Sequence, residues 1–263
     1  MKVVLFCGGQ GLRIRDYSES LPKPMVPVGA LPILWHVMQY YRHYGHHEFI
    51  LCLGYKANAI KQWFLDYKPT AHNDFVISEP GAKVEIIGPS QQDWRATLID
   101  TGMWRNVGER LFAVRSHVQH EEMFCANYSD GLTDAALPDM IDFFRASGKT
   151  ACFLSTPPNF SQHLVEFGDD GIVRTFRAGH ASDSWINGGF FIFRPGIFEF
   201  MRPGEELVVE PFQRLIEARE LIAYRHRGFW ASMDTLRDKQ LLEDMLDRGD
   251  TPWLPWTKQQ ASS

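Results

Sequence analysis

The first seventy residues alternate between short apolar runs and amphipathic stretches. Residues 2–7 (KVVLFC) and 48–55 (EFILCLGY) are apolar runs of strand length. Residues 31–45 and 56–67 carry apolar residues at helical spacing, and Gly45 predicts the C-terminal cap of the first of these helices. Strands that alternate with helices at this spacing predict βαβ units and a parallel sheet.

The later sequence continues this alternation and then changes. Four more strands are predicted at KVEIIG, RATLIDT, EMFCANY and TACFLST, with a helix at LPDMIDFFRASG between the last two. After residue 155 we expect a hairpin with a DDG turn (163–176), a strand at 185–193 and helices at 210–221 and 235–249. The sequence therefore predicts one α/β domain over residues 1–263, with a mixed, mostly parallel central sheet and a small later subregion.

Composition excludes several classes of function. The formal net charge is −5, so the chain lacks the positive field of a nucleic-acid-binding surface. No segment approaches the roughly 18 apolar residues of a membrane span. Four widely separated cysteines form no CxxC pair, and Cys7, Cys52 and Cys152 stand in strand-like apolar runs, which favours buried free thiols at these three positions. We expect a cytoplasmic protein in a reducing compartment, with neither nucleic acid nor membrane as a partner.

A glycine-rich turn follows the first strand directly. Walker A is excluded because no Lys-Ser or Lys-Thr follows the glycines, and the dinucleotide fingerprint fails because Ile14 stands where its third glycine should be. Glycines let backbone N–H groups approach phosphate oxygens, and Arg and Lys supply the charge. The pattern predicts a polyphosphate site, the alternative being a tight turn with surface charges. Its residues are Gly8, Gly9, Gln10, Gly11, Leu12, Arg13 and, between two prolines, Lys23.

These motifs, in this order, resemble the sugar-nucleotide nucleotidyltransferase family. The resemblance runs nearly end to end and is strongest to the cytidylyltransferases that act on glucose 1-phosphate; it is carried by GGQGLRIR, LPKPM, TLIDTG, GERL, SDGLTD, WINGGFF and GFWASMDTLRDKQLLEDM. It implies a Rossmann-like fold and a homo-oligomer. It also implies a nucleotide-binding part at 1–150, a sugar-phosphate-binding part at 151–235, and a C-terminal helix and tail at 236–263.

The implied reaction is attack of a sugar-phosphate oxygen on the α-phosphorus of a nucleoside triphosphate, with pyrophosphate leaving. Such chemistry needs positioning and cations, and Mg²⁺ is usually held by one or two carboxylates. Asp130 follows a predicted strand and Asp234 precedes a predicted helix. Taken singly, the first could be a turn residue and the second a helix N-cap. The resemblance makes both metal ligands, and Arg13 and Lys23 the catalytic cations on the phosphates.

The resemblance also assigns residues to the nucleotide. It places Thr101, Gly102, Arg105 and Arg110 around the nucleobase, and Ser129 in the nucleotide site beside the metal aspartate. Ser129 stands where the family has glycine, a small change that is tolerable if the backbone has a negative φ there.

The acceptor half departs from the family. Its Glu-Lys-Pro motif is replaced by Ala178-Gly179, and Leu164 stands where a glycine normally meets the sugar. The residues implied for sugar binding are Glu166, Arg177, Asn187 and Gly188. Three explanations stay open: an unusual sugar phosphate, an altered nucleotide preference, or a chain that binds nucleotide without turnover.

Two functions follow as hypotheses. The first is an Mg²⁺-dependent enzyme that joins a nucleoside triphosphate, CTP being favoured, to glucose 1-phosphate or an unusual sugar 1-phosphate. The second is a catalytically altered homologue that binds nucleotide as a regulatory or scaffold protein. The complete set of Asp130, Asp234, Arg13 and Lys23 favours the enzyme.

Overall fold

A computed structural model describes residues 1–9, 21–71, 74–81, 83–87, 93–158, 163–167, 169–178 and 184–254. Its strands in chain order are β1 (Lys2–Phe6), β2 (Pro27–Val28), β3 (Leu31–Pro32), β4 (Glu48–Leu53), β5 (Phe75–Ser78), β6 (Lys83–Ile86), β7 (Arg95–Asp100), β8 (Phe124–Asn127), β9 (Gly131–Thr133), β10 (Ala151–Thr156), β11 (His163–Phe167), β12 (Val173–Ala178), β13 (Ile186–Phe193), β14 (Leu221–Arg225) and β15 (Trp230–Ser232). The α-helices in these ranges are α1 (Ile33–His43), α2 (Ala57–Asp66), α3 (Val107–Ala113), α4 (Arg115–Val118), α5 (Leu137–Ser147), α6 (Glu210–Glu217) and α7 (Leu236–Asp247).

Seven strands form the central sheet in the order β14-β10-β13-β8-β1-β4-β7. Strand β13 runs antiparallel to both of its neighbours, and every other pairing in this sheet is parallel. The chain leaves β1 for β4 and β7 on one side, then returns to β8 on the other side of β1. This reversal makes a topological switch point at the carboxyl ends of β1 and β8, where ligands bind in open α/β sheets.

The sheet is buried on both faces by helices. Along β1, Val3 and Leu5 face one apolar cluster while Val4 and Phe6 face the other, as the two-residue period of a strand requires. Helices α1, α2, α5 and α7 contribute to the first cluster, and α3, α4 and α6 to the second. The near-continuous apolar runs seen in the sequence are therefore those of strands covered on both sides.

Most predicted elements are present, and the predicted mixed, mostly parallel sheet is confirmed. The DDG hairpin is the β11–β12 pair. Several elements differ. KVEIIG pairs with β5 in a separate hairpin outside the central sheet, and β14 was missed because its sequence directly continues a helical pattern. The short elements β2, β3, β5, β9, β15, α3 and α4 were not predicted either. Cys7, Cys52 and Cys152 are buried free thiols, as predicted, and so is Cys125. In the described ranges, every helix is too short or too polar to cross a bilayer.

Candidate active site

Lys23 is held in a rigid turn just before the first helix. Residues Lys23–Met25 form a single 3₁₀ turn, which Pro22 precedes in extended conformation. Pro24 and Met25 are buried, so the turn is anchored in the core. Prolines fix φ on both sides of the lysine. The local sequence therefore leaves the backbone at Lys23 little freedom, which restricts where its ammonium group can lie.

Two aspartates distant in sequence converge on that ammonium group. The Nζ atom of Lys23 lies 2.6 Å from Oδ2 of Asp130 and 2.8 Å from Oδ1 of Asp234. All three side chains are largely covered, with exposures of 13% for Lys23, 22% for Asp130 and 29% for Asp234. The structure thus brings together three of the residues that the sequence singled out, at the predicted edge of the sheet.

The backbone explains why the two aspartates meet. Asp130 follows the carboxyl end of β8 at the switch point, and β9 begins at the next residue. Strand β15 pairs antiparallel with β9, with Ser232 opposite Gly131. The Met233 amide donates to the Asp130 carbonyl at 2.9 Å. This short ladder carries Asp234 to the edge of the main sheet.

Asp234 is not the N-cap of the following helix, which was the structural alternative for it. The cap of α7 is Thr235, which forms a capping box with Asp238. The Asp234 amide donates to the Asp238 carboxylate at 3.1 Å, and the Ser232 hydroxyl donates to Oδ2 of Asp234 at 3.0 Å. The Asp234 carboxylate is therefore oriented by its neighbours but left to face Lys23.

Electrostatics keeps Lys23 charged. Burial by itself lowers the pKa of Lys23, but the charges of Asp130 and Asp234 and their hydrogen bonds outweigh it and raise the pKa above its ordinary value. The site therefore holds a compact cation between two anions at neutral pH.

The same two carboxylates fit a divalent cation. Both place an oxygen within 2.8 Å of one positive centre, and Mg²⁺ is commonly held by one or two carboxylates with phosphates and water completing its shell. In the described ranges, no group of three or more His, Cys, Asp and Glu side chains could enclose a metal ion. Asp130 and Asp234 would hold the ion at an open site, which leaves coordination positions for a phosphorylated ligand.

Arg110 ties together the loops after three parallel strands. Arg110 is 3% exposed, and its guanidinium group donates to the backbone carbonyls of Gly8 (3.0 Å), Leu53 (2.9 Å) and Gly102 (3.0 Å). It also donates to Oγ1 of Thr101 at 2.7 Å. A Cβ atom on Gly8 would lie 2.1 Å from Nη1 of Arg110, so this glycine is required by the close approach of the arginine. A direct nucleotide contact of Arg110 stays a prediction.

The other predicted nucleobase residues surround Arg110 at the end of β7. The Thr101 hydroxyl donates to the Leu53 carbonyl at 2.7 Å, so its side chain is engaged within the protein. Gly102 has a φ of +98°, which favours glycine, and its amide donates to Asp100. Arg105 is 57% exposed and pairs with Glu109 on α3. These residues line the rim of the same sheet edge.

The backbone at Ser129 does not meet the condition under which its side chain would be readily tolerated. Its φ is +63°, not negative. The side chain is fully buried, with Oγ 2.7 Å from the Phe6 carbonyl and 2.6 Å from the Tyr128 carbonyl, and the Ser129 amide donates to Oδ1 of Asn127 at 2.6 Å. The hydroxyl thus links the carboxyl end of β8 to that of β1. These hydrogen bonds hold a conformation that a non-glycine residue rarely adopts.

Of the four predicted sugar-binding residues, Asn187 and Gly188 are described in full, and Glu166 and Arg177 by their backbone. Asn187 lies half-buried at the start of β13, with Nδ2 3.4 Å from the Tyr128 hydroxyl and Oδ1 accepting from the Gly189 amide. Gly188 is buried, and a Cβ atom there would lie 3.0 Å from Nε1 of Trp230. The backbones of Glu166 and Arg177 lie in the β11–β12 hairpin.

Several predictions fall elsewhere. Gln10, Gly11, Leu12 and Arg13 lie outside the described residues. Gly9 is exposed at the end of the described turn, with nothing within 4 Å of an added Cβ atom.

Two contributors were missed by sequence reasoning. Ser232 orients Asp234, and Trp230 donates from Nε1 to the Gly188 carbonyl at 2.8 Å. Both belong to β15, a strand of only three residues. A position two residues before a candidate metal ligand is the only sequence signal that could have indicated Ser232.

The fold and this cluster are those of an α/β protein with a candidate ligand site at the carboxyl edge of its sheet. The sequence profile of the nucleotidyl transferase family matches residues 2–238, and the chain belongs to that family. The predicted family and enzyme class are thereby confirmed.

Two curated relatives match over nearly the whole chain. A glucose-1-phosphate cytidylyltransferase of Salmonella typhi is 37% identical over 97% of this chain and 100% of its own length. A probable glucose-1-phosphate cytidylyltransferase of Bacillus subtilis is 34% identical with the same coverage. A solved structure of UDP-glucose pyrophosphorylase with UDP-glucose superposes with a TM-score of 0.69 at 14% identity, covering 94% of this chain and 98% of that chain. This last likeness shows the shared Rossmann-like fold.

Proposed function

We propose that the protein is an Mg²⁺-dependent enzyme that transfers CMP from CTP to a sugar 1-phosphate and releases pyrophosphate. The observation that carries this proposal is the cluster at the switch point, in which the carboxylates of Asp130 and Asp234 both lie within 2.8 Å of the Lys23 ammonium group. Relatives named glucose-1-phosphate cytidylyltransferase support CTP and glucose 1-phosphate as the first substrates to test.

The reaction needs no nucleophile from the protein. An oxygen of the sugar phosphate forms a new bond to the α-phosphorus of CTP, while the bond from that phosphorus to the bridging oxygen breaks and pyrophosphate leaves. Bound Mg²⁺ would neutralise charge on the phosphates. Lys23 binds the phosphates as a point charge, and Asp130 and Asp234 orient the cations. Arg13 is proposed as the second cation on the phosphates, at the position of the glycine-rich turn.

The nucleotide half of the proposed site rests on the edge formed by β1, β4 and β7. Arg110 fixes the three loops there through the carbonyls of Gly8, Leu53 and Gly102. Loops fixed in this way present Gly9, Gly102 and Arg105 to a nucleotide without reorganisation. Preorganised backbone groups are an effective way to bind charged ligands.

The acceptor half is proposed to lie at the start of β13. The Asn187 amide stands at the same sheet edge as Asp130, because β13 pairs directly with β8. The side-chain oxygen of Asn187 accepts from the Gly189 amide. Its side-chain nitrogen has only a long contact, 3.4 Å, with the Tyr128 hydroxyl. This amide can donate to a sugar hydroxyl. Glu166 and Arg177 stay proposed partners of the sugar.

We also propose a homo-oligomer and a cytoplasmic location. The β5–β6 hairpin pairs Phe75 with Ile86 and Ile77 with Val84, so one of its faces is apolar. Phe75, Ile77 and Val84 are 43%, 60% and 45% exposed, and another subunit would cover them. Size-exclusion chromatography with light scattering tests this assembly. The four free thiols support a reducing compartment.

The function is tested by mixing each nucleoside triphosphate with a panel of sugar 1-phosphates and Mg²⁺, with pyrophosphate as the signal. We expect release with CTP and at least one sugar phosphate, and loss of release when EDTA removes the metal. Tight CTP binding without turnover for any pairing would contradict the enzyme and support the nucleotide-binding homologue. Release with another triphosphate alone would overturn the choice of CTP.

A further inference from the structure

We propose that Arg225, Arg227 and Trp185 form a subsite for a second anionic group on the acceptor sugar, in addition to its 1-phosphate. This inference rests on the proposed function, because it names the substrate class for the acceptor half of the same site. The three residues belong to two separate strands and their extensions, and no sequence motif connects them.

Two guanidinium groups lie against one indole ring. The Cζ atom of Arg227 lies 4.9 Å from the centre of the Trp185 ring, and that of Arg225 lies 5.6 Å from it. Both distances are within the range of cation–π contact. An arginine that contacts a ring in this way can keep N–H groups available, and these match the two oxygens of a carboxylate or phosphate. The indole therefore orients two anion-binding groups without neutralising them.

The cluster lies on the sheet edge that carries the candidate acceptor residues. On β10, Ser155 pairs with Arg225 of β14 on one side and with Asn187 of β13 on the other. Neighbouring strands are about 4.8 Å apart, which puts the Arg225 backbone roughly 10 Å from that of Asn187. Trp185 precedes Asn187 by two residues and stands directly before β13. This separation suits the far end of a sugar whose near end meets Asn187.

The local charge favours an anion. Arg225 and Arg227 are exposed, and in the described part of the chain neither forms an ion pair. The neighbouring carboxylate of Asp134 lies 2.7 Å from Nε2 of His226 and so has a partner of its own. Two like charges that share one ring repel each other, and an anion placed between their N–H edges relieves that repulsion. Uncharged sugar hydroxyls would not relieve this repulsion.

The position of Arg225 on β14 also distinguishes between the reacting 1-phosphate and a second anionic group as the ligand of this subsite. Asp130 and Lys23 follow β8 and β1, and β10 and β13 lie between β8 and β14. The reacting 1-phosphate must lie beside the triphosphate, at the β1 and β8 end of this edge. The arginines are therefore too far along the edge to serve that phosphate, and they suit a carboxylate or second phosphate at the opposite end of the sugar.

The test compares three acceptors with CTP and Mg²⁺: glucose 1-phosphate, glucuronic acid 1-phosphate and glucose 1,6-bisphosphate. We expect the wild-type protein to use at least one of the doubly anionic acceptors with a higher kcat/KM than glucose 1-phosphate. In R225Q/R227Q that kcat/KM should fall at least tenfold, while the value for glucose 1-phosphate changes less than twofold. The acceptor that responds identifies the anion as carboxylate or phosphate.

The matched control is R219Q/R248Q, which removes two exposed arginines elsewhere on the surface and should leave all three values unchanged. An equal loss for every acceptor in R225Q/R227Q, or a wild-type preference for glucose 1-phosphate over both others, overturns the subsite. Calorimetric binding of glucuronic acid 1-phosphate and of the bisphosphate is measured in the same proteins. If no acceptor gives pyrophosphate, the proposed function fails, and equal binding to wild type and R225Q/R227Q would then also refute the subsite.

Discussion

The ammonium group of Lys23 lies 2.6 Å from Oδ2 of Asp130, although 107 residues separate the two in sequence. The lysine side is fixed by a proline-flanked turn and the aspartate side by the end of a central strand. This contact therefore requires two independent parts of the fold to be placed precisely relative to each other. Asp234 joins from a third part, through a short strand that pairs beside Asp130.

Replacing either aspartate should abolish turnover but keep the fold. Asp130→Asn and Asp234→Asn each remove a charge that orients the phosphates' cations, and we expect kcat to fall at least about a hundredfold, as when a preorganised charge contact is lost. Pyrophosphate release measures turnover, and circular dichroism on heating measures the fold. Asp142→Asn, at a 78% exposed position, is the control. Near-normal turnover in both variants would contradict the assignment of the metal ligands.

Removing the Lys23 ammonium group should make the position between the Asp130 and Asp234 carboxylates available to a metal ion. In Lys23→Met the carboxylates of Asp130 and Asp234 lose their ammonium partner and repel each other, so the melting temperature without metal should fall. Because Mg²⁺ can replace the missing charge, the rise in melting temperature on adding Mg²⁺ should be larger in Lys23→Met than in the wild type. Thermal melting with 0 and saturating Mg²⁺ measures this. An equal rise in both proteins would show that the ion binds elsewhere.

The elements with strong periodicity were predictable from sequence. The buried parallel strands and the helices α1, α2, α5 and α7 stand where the apolar pattern placed them. Strand β14 was missed because Leu221 continues the apolar spacing of α6 and the strand is half-buried, so it shows neither a buried run nor a clean alternation. The edge position that makes it a strand is a property of the assembled sheet.

The candidate site was predictable as a set of residues but not as an arrangement. The roles of Arg110 and Ser129 depend on carbonyl groups that fold next to them, and sequence does not show the direction of a carbonyl. The positive φ of Ser129 is the clearest case, because its hydroxyl meets the Phe6 carbonyl, 123 residues away. Likewise, only the structure shows that Thr235 caps α7 and leaves Asp234 to face Lys23.

A methyl group should be tolerated at Gly9 but not at Gly8. In Gly8→Ala the new Cβ atom meets the Arg110 guanidinium group at 2.1 Å, so the arginine must shift and lose backbone acceptors. We expect a loss of about 1–3 kcal/mol in the free energy of unfolding, as for overpacking of a buried site. Gly9→Ala is the matched control, with nothing within 4 Å of its Cβ atom. Urea denaturation compares the two, and equal stabilities would refute the close approach.

Substitutions of Ser129 should separate strain from hydrogen bonding. Ser129→Gly relieves a left-handed backbone, worth about 1–2 kcal/mol, but loses a hydrogen bond worth about 1 kcal/mol. It should therefore be about as stable as the wild type. Ser129→Ala keeps the strain and loses the bond, so it should be the less stable by urea denaturation. If Ser129→Ala were as stable as Ser129→Gly, the backbone there would not be left-handed.

Stability should fall in weak acid because of a buried histidine. His36 is 4% exposed, with Nε2 3.0 Å from the Val28 carbonyl, and burial lowers its pKa to about 4, partly opposed by that hydrogen bond. The folded protein therefore takes up its proton at lower pH than the unfolded chain, whose histidine has a pKa near 6.5. The stabilisation that comes from neutral His36 is fully present above pH 6.5 and is lost as the pH falls towards 4.

Unfolding free energy measured from pH 7.5 to 4 checks this. In His36→Asn the free energy of unfolding should fall less steeply with decreasing pH than in the wild type, by up to the slope that corresponds to one bound proton. His46, whose pKa is also lowered to about 4, adds a decrease of the same sign and is present in both proteins. The control His120→Asn changes an exposed side chain and should keep the wild-type slope. Identical slopes for His36→Asn and the wild type would mean that His36 titrates normally and so is not buried.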